Sequence, residues 1–184
     1  MTYRETEIKL FVPDLKIFQQ KLFELGVKSV QPRHFEDNFL LDTVDSTLRR
    51  NNMLLRIRVA LGKGVVTMKK KARISDGVKD REEIECEVDH PEEMQRILAE
   101  LGYSISFRYQ KYRTIYKMEN ISVEIFVDET PIGNYVELEG EIGGIHELAA
   151  KLGYSREAYV TESYATLYFR WCQQNGKSAS QMIF

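Results

Sequence analysis

Apolar and polar residues alternate with a period of two along much of the chain, the pattern of strands that have one apolar and one polar face. Short turn sequences at 62–64, 75–77 and 119–120 separate several of these segments. Such spacing between neighbouring strands favours a largely antiparallel sheet. The pattern predicts strands at 3–12, 35–42, 53–60, 64–71, 81–88, 107–118, 121–128 and 134–142.

Four other segments repeat apolar residues every three or four positions, which predicts amphipathic helices. Three of them end in Leu-Gly, at Gly26, Gly102 and Gly153, a frequent helix C-terminus. Each helix has to bury its apolar stripe, and the apolar strand faces are the available partners. The stripes are Leu15, Phe18, Leu22 and Leu25; Met94, Ile97, Leu98 and Leu101; Ile145, Leu148, Ala149 and Leu152; and Tyr164, Leu167, Tyr168 and Trp171.

The polar strand faces carry mainly charged residues, often as like charges two positions apart. For any single strand, a face in contact with water explains this pattern. Like charges that adjoin repel unless opposite charges or ligands lie beside them, and the pattern recurs in most strands. The set therefore favours a face built to hold something. The pairs are Glu5/Glu7, Arg56/Arg58, Glu83/Glu85, Lys111/Arg113 and Glu137/Glu139.

If the helices cover the apolar face and the sheet closes on itself, the charged face lines the interior. About eight strands leave room for side chains or one small ligand. Bases donate charge-assisted hydrogen bonds to phosphate oxygens, and carboxylates are ligands for Mg²⁺ or Mn²⁺. The predicted fold is therefore α+β, a closed eight-stranded antiparallel β-barrel with a charged lumen and helices packed outside. We expect a single tunnel domain over 1–174 and a loosely ordered tail over 175–184.

Composition narrows the class of protein. Of 184 residues, 43% are hydrophobic and 29% charged, as in globular proteins. A net charge of -2 and a pI near 6.0 give no bulk basic character, so we expect no nucleic-acid partner. No apolar run approaches about 18 residues, so we expect no membrane span. Two cysteines without a metal-binding spacing suit a reduced, cytoplasmic setting.

The chain resembles a known family in motifs spread over nearly its whole length. The sequence ETEIK at 5–9 is similar to the ExExK signature of the CYTH superfamily, the triphosphate tunnel metalloenzymes. A lone ExExK is weak, but further matches follow in order. These are LRIR at 55–58, TMK at 67–69, REEIE at 81–85, KYR at 111–113, VEIFVDETPIGNYVELE at 123–139 and SY at 163–164.

This resemblance implies an eight-stranded tunnel that binds a triphosphate together with Mg²⁺ or Mn²⁺, as two ions. The triphosphate would be held by Lys9, Arg56, Arg58, Lys69, Arg81, Lys111 and Arg113. The metal would be held by Glu5, Glu7, Glu124, Asp128, Glu137 and Glu139. Glu83 and Glu85 are further tunnel acids, and Lys9, Lys111 and Asp128 are the expected catalytic residues. The family often forms homodimers, so a homodimer is an open expectation.

Three functions stay open. The chain most resembles class IV adenylyl cyclases, which implies that ATP is converted to cyclic AMP and pyrophosphate. The second is a triphosphatase that hydrolyses inorganic or thiamine triphosphate with the same bases and metals. The third is a non-catalytic polyphosphate- or nucleotide-binding module, which would gain little from so many carboxylates.

Overall fold

The computed structural model describes residues 2–184, and its antiparallel strands form one sheet that closes on itself. The strands are Thr2–Val12 (β1), Lys28–Asp42 (β2), Leu54–Ala60 (β3), Lys63–Lys69 (β4), Arg73–Ser75 (β5), Val78–Val88 (β6), Ser104–Met118 (β7), Ile121–Thr130 (β8) and Gly133–Gly140 (β9). The helices are Leu15–Glu24 (α1), Thr47–Arg50 (α2), Pro91–Glu100 (α3), Ile142–Lys151 (α4) and Tyr164–Gln174 (α5), with a 3-10 turn at Arg156–Ala158.

Eight strands form the barrel, in the order β1-β9-β8-β7-β2-β3-β4-β6, and a pairing between β1 and β6 closes the ring. The short strand β5 pairs only with β6, where it follows the line of β4. All pairings between these strands are antiparallel. The predicted closed eight-stranded barrel is confirmed.

The apolar strand faces point out of the barrel and pack against helices, as the alternation predicted. Ile8 and Leu10 of β1 are fully buried against Phe18 and Leu22 of α1 and against α4. A second outer cluster joins β2 and β3 to α2 and α3. This packing turns the opposite, charged faces inward.

Helix α5 differs from the others because it lies across one end of the barrel. Its residues Tyr164 and Tyr168 pack against Phe107, Tyr109 and Tyr135, which are on inward-facing strand positions. We call this the closed end. The open end is where Ala60, Val65, Ile115 and Phe126 line the cavity. No helix within residues 2–184 is long and apolar enough to cross a membrane.

Strand β2 begins at Lys28, well before the predicted start at residue 35. The register of its pairing with β7 shifts between Ser29 and Gln31 and again between Gln31 and His34. Pro32 lies within the second of these shifts, and proline has no backbone N–H for the ladder. Such irregularities break the alternation on which a sequence prediction depends.

The tail at 175–184 is not the loosely ordered segment that the sequence suggested. Met182 is fully buried in the aromatic cluster of the closed end. Its backbone N–H donates to Arg108 O at 3.0 Å, and its carbonyl accepts from Gln110 N at 2.8 Å. Pairing between β7 and β8 starts at Tyr112, so these bonds involve a stretch of the β7 edge that β8 leaves unpaired. The tail therefore covers a free edge of the barrel.

Candidate active site

The inward side chains surround a cavity of about 470 Å³ that is lined mainly by charged groups. The strand register sets their neighbours: Lys9 lies beside Glu137, and Glu7 lies beside Glu139. Six cationic side chains are buried here, each less than a tenth exposed: Lys9, Arg56, Lys69, Lys79, Lys111 and Arg113. Buried charges are costly unless they are paired, so their partners define the site.

Near the closed end, Asp128 organises one cluster. It is fully buried and accepts hydrogen bonds from Lys111 Nζ at 2.9 Å, from Arg113 Nε at 2.7 Å and from the Tyr164 hydroxyl at 2.6 Å. The Tyr164 ring also lies 4.6 Å from Lys9 Nζ, measured to the ring centroid. Tyr164 thus joins α5 to the bases of the lumen.

Glu137 links this cluster to the first strand. Its carboxylate is 2.8 Å from Lys9 Nζ and also pairs with Arg113. Burial alone would raise the pKa of Glu137, but Lys9 and Arg113 outweigh it and hold the pKa well below its usual range. Burial likewise opposes the charge of Lys9, yet Glu137 and Glu7 raise its pKa. Both groups are therefore charged at neutral pH.

A second cluster gathers acids from β1, β6 and β9. Glu5 accepts from Lys69 Nζ at 2.8 Å and from Arg81 Nε at 2.9 Å, and Glu83 lies 2.6 Å from the same Lys69 nitrogen. Burial, and then a hydrogen bond with Glu5, raises the pKa of Glu83 to about 7. Burial, and then repulsion from Glu5 and Glu7, raises the pKa of Glu139 to about 8. This cluster therefore holds more carboxyl groups than bases to pair with them.

These carboxylates suit a hard divalent cation in chemistry, because Mg²⁺ and Mn²⁺ prefer oxygen ligands. The repulsion that raises the pKa of Glu139 is what a bound cation would relieve. Within residues 2–184, however, no three acid, histidine or cysteine side chains already converge as a metal site. The reason is that Glu5 and Glu7 are turned toward Lys69 and Lys79.

A third group lines the wall formed by β2, β3 and β4. Arg56 Nη2 donates to Thr67 Oγ1 at 3.2 Å, and Thr67 in turn donates to Glu85 at 2.6 Å. Arg58 is 3.9 Å from Glu36, a loose pair. The side chain of Glu36 is also 3.5 Å from Lys111 Nζ, so this wall is connected to the Asp128 cluster.

The structure brings the predicted residues together around one cavity. Asp128 and Glu83 stand behind its surface, where they bond the bases that line it. Glu124 lines the cavity at its open end, beside Glu139 in register, and its carboxylate pairs with Lys117. The other predicted residues also line the cavity: Glu5, Glu7, Lys9, Arg56, Arg58, Lys69, Arg81, Glu85, Lys111, Arg113, Glu137 and Glu139.

Sequence reasoning missed two charged residues of the cavity, Glu36 and Lys79. Lys79 precedes the predicted strand start at residue 81, but it continues the parity of Arg81 and Glu83, so one further step would have found it. The next residue on the same face as Glu36 is the uncharged Asn38. This strand therefore lacks the pair of like charges, two positions apart, by which other tunnel strands were recognised.

In the absence of divalent metal, we expect stability to fall as the pH rises from about 5.5 to about 8.5. Glu83 and Glu139, with pKa values of about 7 and about 8, keep their protons in the folded state. Unfolded glutamates lose theirs near pH 4.3. The folded state therefore binds more protons than the unfolded state over this range. The stability that these two protonated carboxyl groups contribute is lost as the pH rises through their folded-state pKa values. Thermal melts in EDTA across the pH range measure the slope.

Glu139→Gln is the matched variant, because it removes one of the two titrations without changing the shape of the side chain. Its melting temperature should depend less steeply on pH than that of the wild type. An identical slope in both proteins would show that the pKa of Glu139 is not raised in the folded state.

The fold and the cavity define a class of protein, a closed β-tunnel with buried bases and acids intermixed. The CYTH domain family model matches residues 3–164. The chain belongs to the CYTH family. A Methanocaldococcus jannaschii protein named "Putative adenylate cyclase MJ0240" is 31% identical over 173 residues, covering 89% of this chain and 97% of the relative.

Solved structures share the fold at lower sequence identity. A Vibrio parahaemolyticus protein, named as a putative adenylate cyclase, superposes with a TM-score of 0.75 at 17% identity, covering 89% of this chain and 96% of that one. A Hippeastrum protein, HpAC1, has a TM-score of 0.68 at 21% identity, covering 95% of this chain and 97% of that one. HpAC1 is described as a putative adenylyl cyclase with a dominant triphosphatase activity. At these identities the likeness shows the fold alone.

Proposed function

We propose that this protein is a divalent-metal-dependent enzyme that binds a triphosphate in its tunnel, and that its reaction is the conversion of ATP to cyclic AMP and pyrophosphate. The observation that carries the proposal is the set of buried bases around one cavity, each held by carboxylates. Lys9 of β1, and Lys111 and Arg113 of β7, present ammonium and guanidinium donors within one cluster. Such donors are suited to the oxygens of a polyphosphate.

Substrate binding on this proposal is an exchange of partners. Lys69, which now pairs with Glu5 and Glu83, would turn its ammonium to phosphate oxygens. The carboxylates released in this way would be free to hold Mg²⁺ or Mn²⁺. A bound cation would neutralise charge on the phosphate oxygens as the bond to the leaving group breaks.

The chain's own residues would orient the substrate for an in-line attack. In the cyclase reaction the ribose 3′-hydroxyl loses its proton to water and its oxygen bonds to the α-phosphorus. The bond from that phosphorus to the bridging oxygen breaks, and pyrophosphate leaves. Asp128 accepts bonds from Lys111, Arg113 and Tyr164, so its role here is to fix the direction of those two bases. Positioning and electrostatics would supply most of the rate.

The cyclase is favoured because the relative at 31% identity is named "Putative adenylate cyclase MJ0240". The second candidate is a triphosphatase acting on inorganic or thiamine triphosphate, in which a water replaces the ribose hydroxyl. It is favoured by the triphosphatase activity ascribed to the Hippeastrum protein. Both reactions use the same bases and acids.

A substrate panel with identified products tests the proposal. The protein is incubated with ATP, inorganic triphosphate or thiamine triphosphate, each with Mg²⁺ and with Mn²⁺. We expect cyclic AMP and pyrophosphate from ATP. Inorganic phosphate as the main product would favour the triphosphatase instead. If no substrate turns over but triphosphates bind, the protein is a binding module and the enzymatic proposal is wrong.

A further inference from the structure

Part of the open end of the tunnel differs in chemistry from the rest of the lumen, because five apolar side chains line it beside charged ones such as Glu124 and Glu139. Ile115 of β7 and Phe126 of β8 are direct neighbours in register on one wall. Ala60 and Val65 line the same cavity from the hairpin formed by β3 and β4. All four are only partly buried. We call these residues, together with Leu61, the apolar rim.

Leu61 is the most unusual member of the rim. It occupies the turn between β3 and β4 with a φ of 53°, and the next residue, Gly62, has a φ of 75°. Two positive φ values in a two-residue loop define a type I′ turn, which strongly prefers Asn-Gly or Asp-Gly. The chain uses that preferred pair in its other such turn, Asp76–Gly77, with φ values of 54° and 74°. Leucine is therefore a disfavoured residue for the backbone conformation at position 61.

Burial does not account for this leucine either, since Leu61 is 62% exposed. The hairpin that carries it is nevertheless fixed in place. Gly64, three residues further on, packs so closely that a Cβ there would lie 2.8 Å from the Pro91 side chain at the start of α3. The hairpin therefore presents an exposed apolar side chain at a defined place, beside the mouth of a charged cavity.

We propose that the apolar rim is a subsite for the flat heterocyclic part of an organic triphosphate, so that inorganic triphosphate is not the substrate for which this tunnel is built. The inference rests on the proposed function, in which the triphosphate itself lies among Lys9, Lys111 and Arg113. The closed end beyond these bases is occupied by Tyr164 and the aromatic cluster of α5. The rest of the substrate would have to extend toward the open end.

The chemistry of the rim matches a nucleobase or another heteroaromatic ring. Aromatic and branched apolar side chains contact the faces of such rings irrespective of their hydrogen-bonding edges. A bare triphosphate has only charged oxygens and would gain nothing from Leu61, Ile115 or Phe126. Removing apolar area from the rim should therefore weaken the binding of organic triphosphates without weakening the binding of inorganic triphosphate.

Leu61→Asn is the test variant, because it removes the apolar side chain and installs the residue that the turn prefers. Its melting temperature should equal or exceed that of the wild type, so weaker binding could not be ascribed to unfolding. Titration calorimetry is carried out with ATP, thiamine triphosphate and tripolyphosphate, in EDTA and again with Mg²⁺. We expect the dissociation constant of at least one organic ligand to rise about three- to tenfold while that of tripolyphosphate is unchanged. Leu61→Met, which keeps an apolar side chain, is the control and should bind like the wild type.

The organic ligand that loses more affinity identifies the heterocycle that the rim receives. Equal losses for all three ligands, or no loss for any, would overturn the subsite while leaving triphosphate binding in place. A wild-type protein that binds none of the three would overturn the proposed function itself, and the subsite with it.

Discussion

Glu137→Gln should lower turnover by about 100-fold or more while triphosphate binding stays measurable. The substitution keeps the shape of the side chain and leaves Lys9 and Arg113 in place, so the donors to phosphate survive. What is lost is a carboxylate charge, and a neutral amide oxygen is a poorer ligand for a hard cation. Steady-state kinetics with Mn²⁺, together with calorimetry of tripolyphosphate, measures the two quantities separately.

Glu87→Gln is the matched control for this variant. Glu87 has the same chemistry and pairs with Lys63 at 3.2 Å, but about 70% of its side chain is exposed. Its loss should leave activity unchanged. If Glu137→Gln is as active as Glu87→Gln, then Glu137 does not belong to the proposed metal-holding set. If binding disappears along with turnover, its role is to position Lys9 and Arg113.

The direction of each strand face could be predicted because alternation is a local property. Ile8 and Leu10 had to face helices, and Glu7 and Lys9 therefore had to face the lumen. Closure did not follow from parity alone. Parity shows only that, if the sheet closes with helices on its apolar side, the charged side lies inside, and the resemblance to the CYTH family agreed with closure. The register that sets Lys9 beside Glu137 is a long-range pairing, and it could not be derived from either strand alone.

The sequence could not predict which base each acid of the lumen pairs with. Parity placed Glu5 and Glu7 inward, but it did not show that Lys69 and Lys79 would hold them apart. Two further features depend on where a segment packs against the barrel, which its own residue pattern does not determine. Tyr164 reaches Asp128 from a helix that closes the barrel, and Met182 covers a strand edge from a tail with no periodic pattern.

Asp128→Ala should lower the free energy of unfolding by about 3–5 kcal/mol, because it leaves buried charges without their partner. Asp128 is fully buried and is the shared acceptor of Lys111, Arg113 and Tyr164. Its removal also leaves the Tyr164 hydroxyl without an acceptor in a buried position, which adds to the cost. Chemical denaturation of the variant and the wild type at the same pH measures the difference.

Asp37→Ala is the comparison that makes this result interpretable. Asp37 also pairs with an arginine, Arg108, at 2.6 Å, but 39% of the arginine side chain is exposed. Truncating such a surface pair should cost about 0–1 kcal/mol. Tripolyphosphate should stabilise Asp128→Ala more than it stabilises the wild type, because an anion in the tunnel would restore a partner to Lys111 and Arg113. If Asp128→Ala is no less stable than Asp37→Ala, Asp128 does not hold the two bases in place.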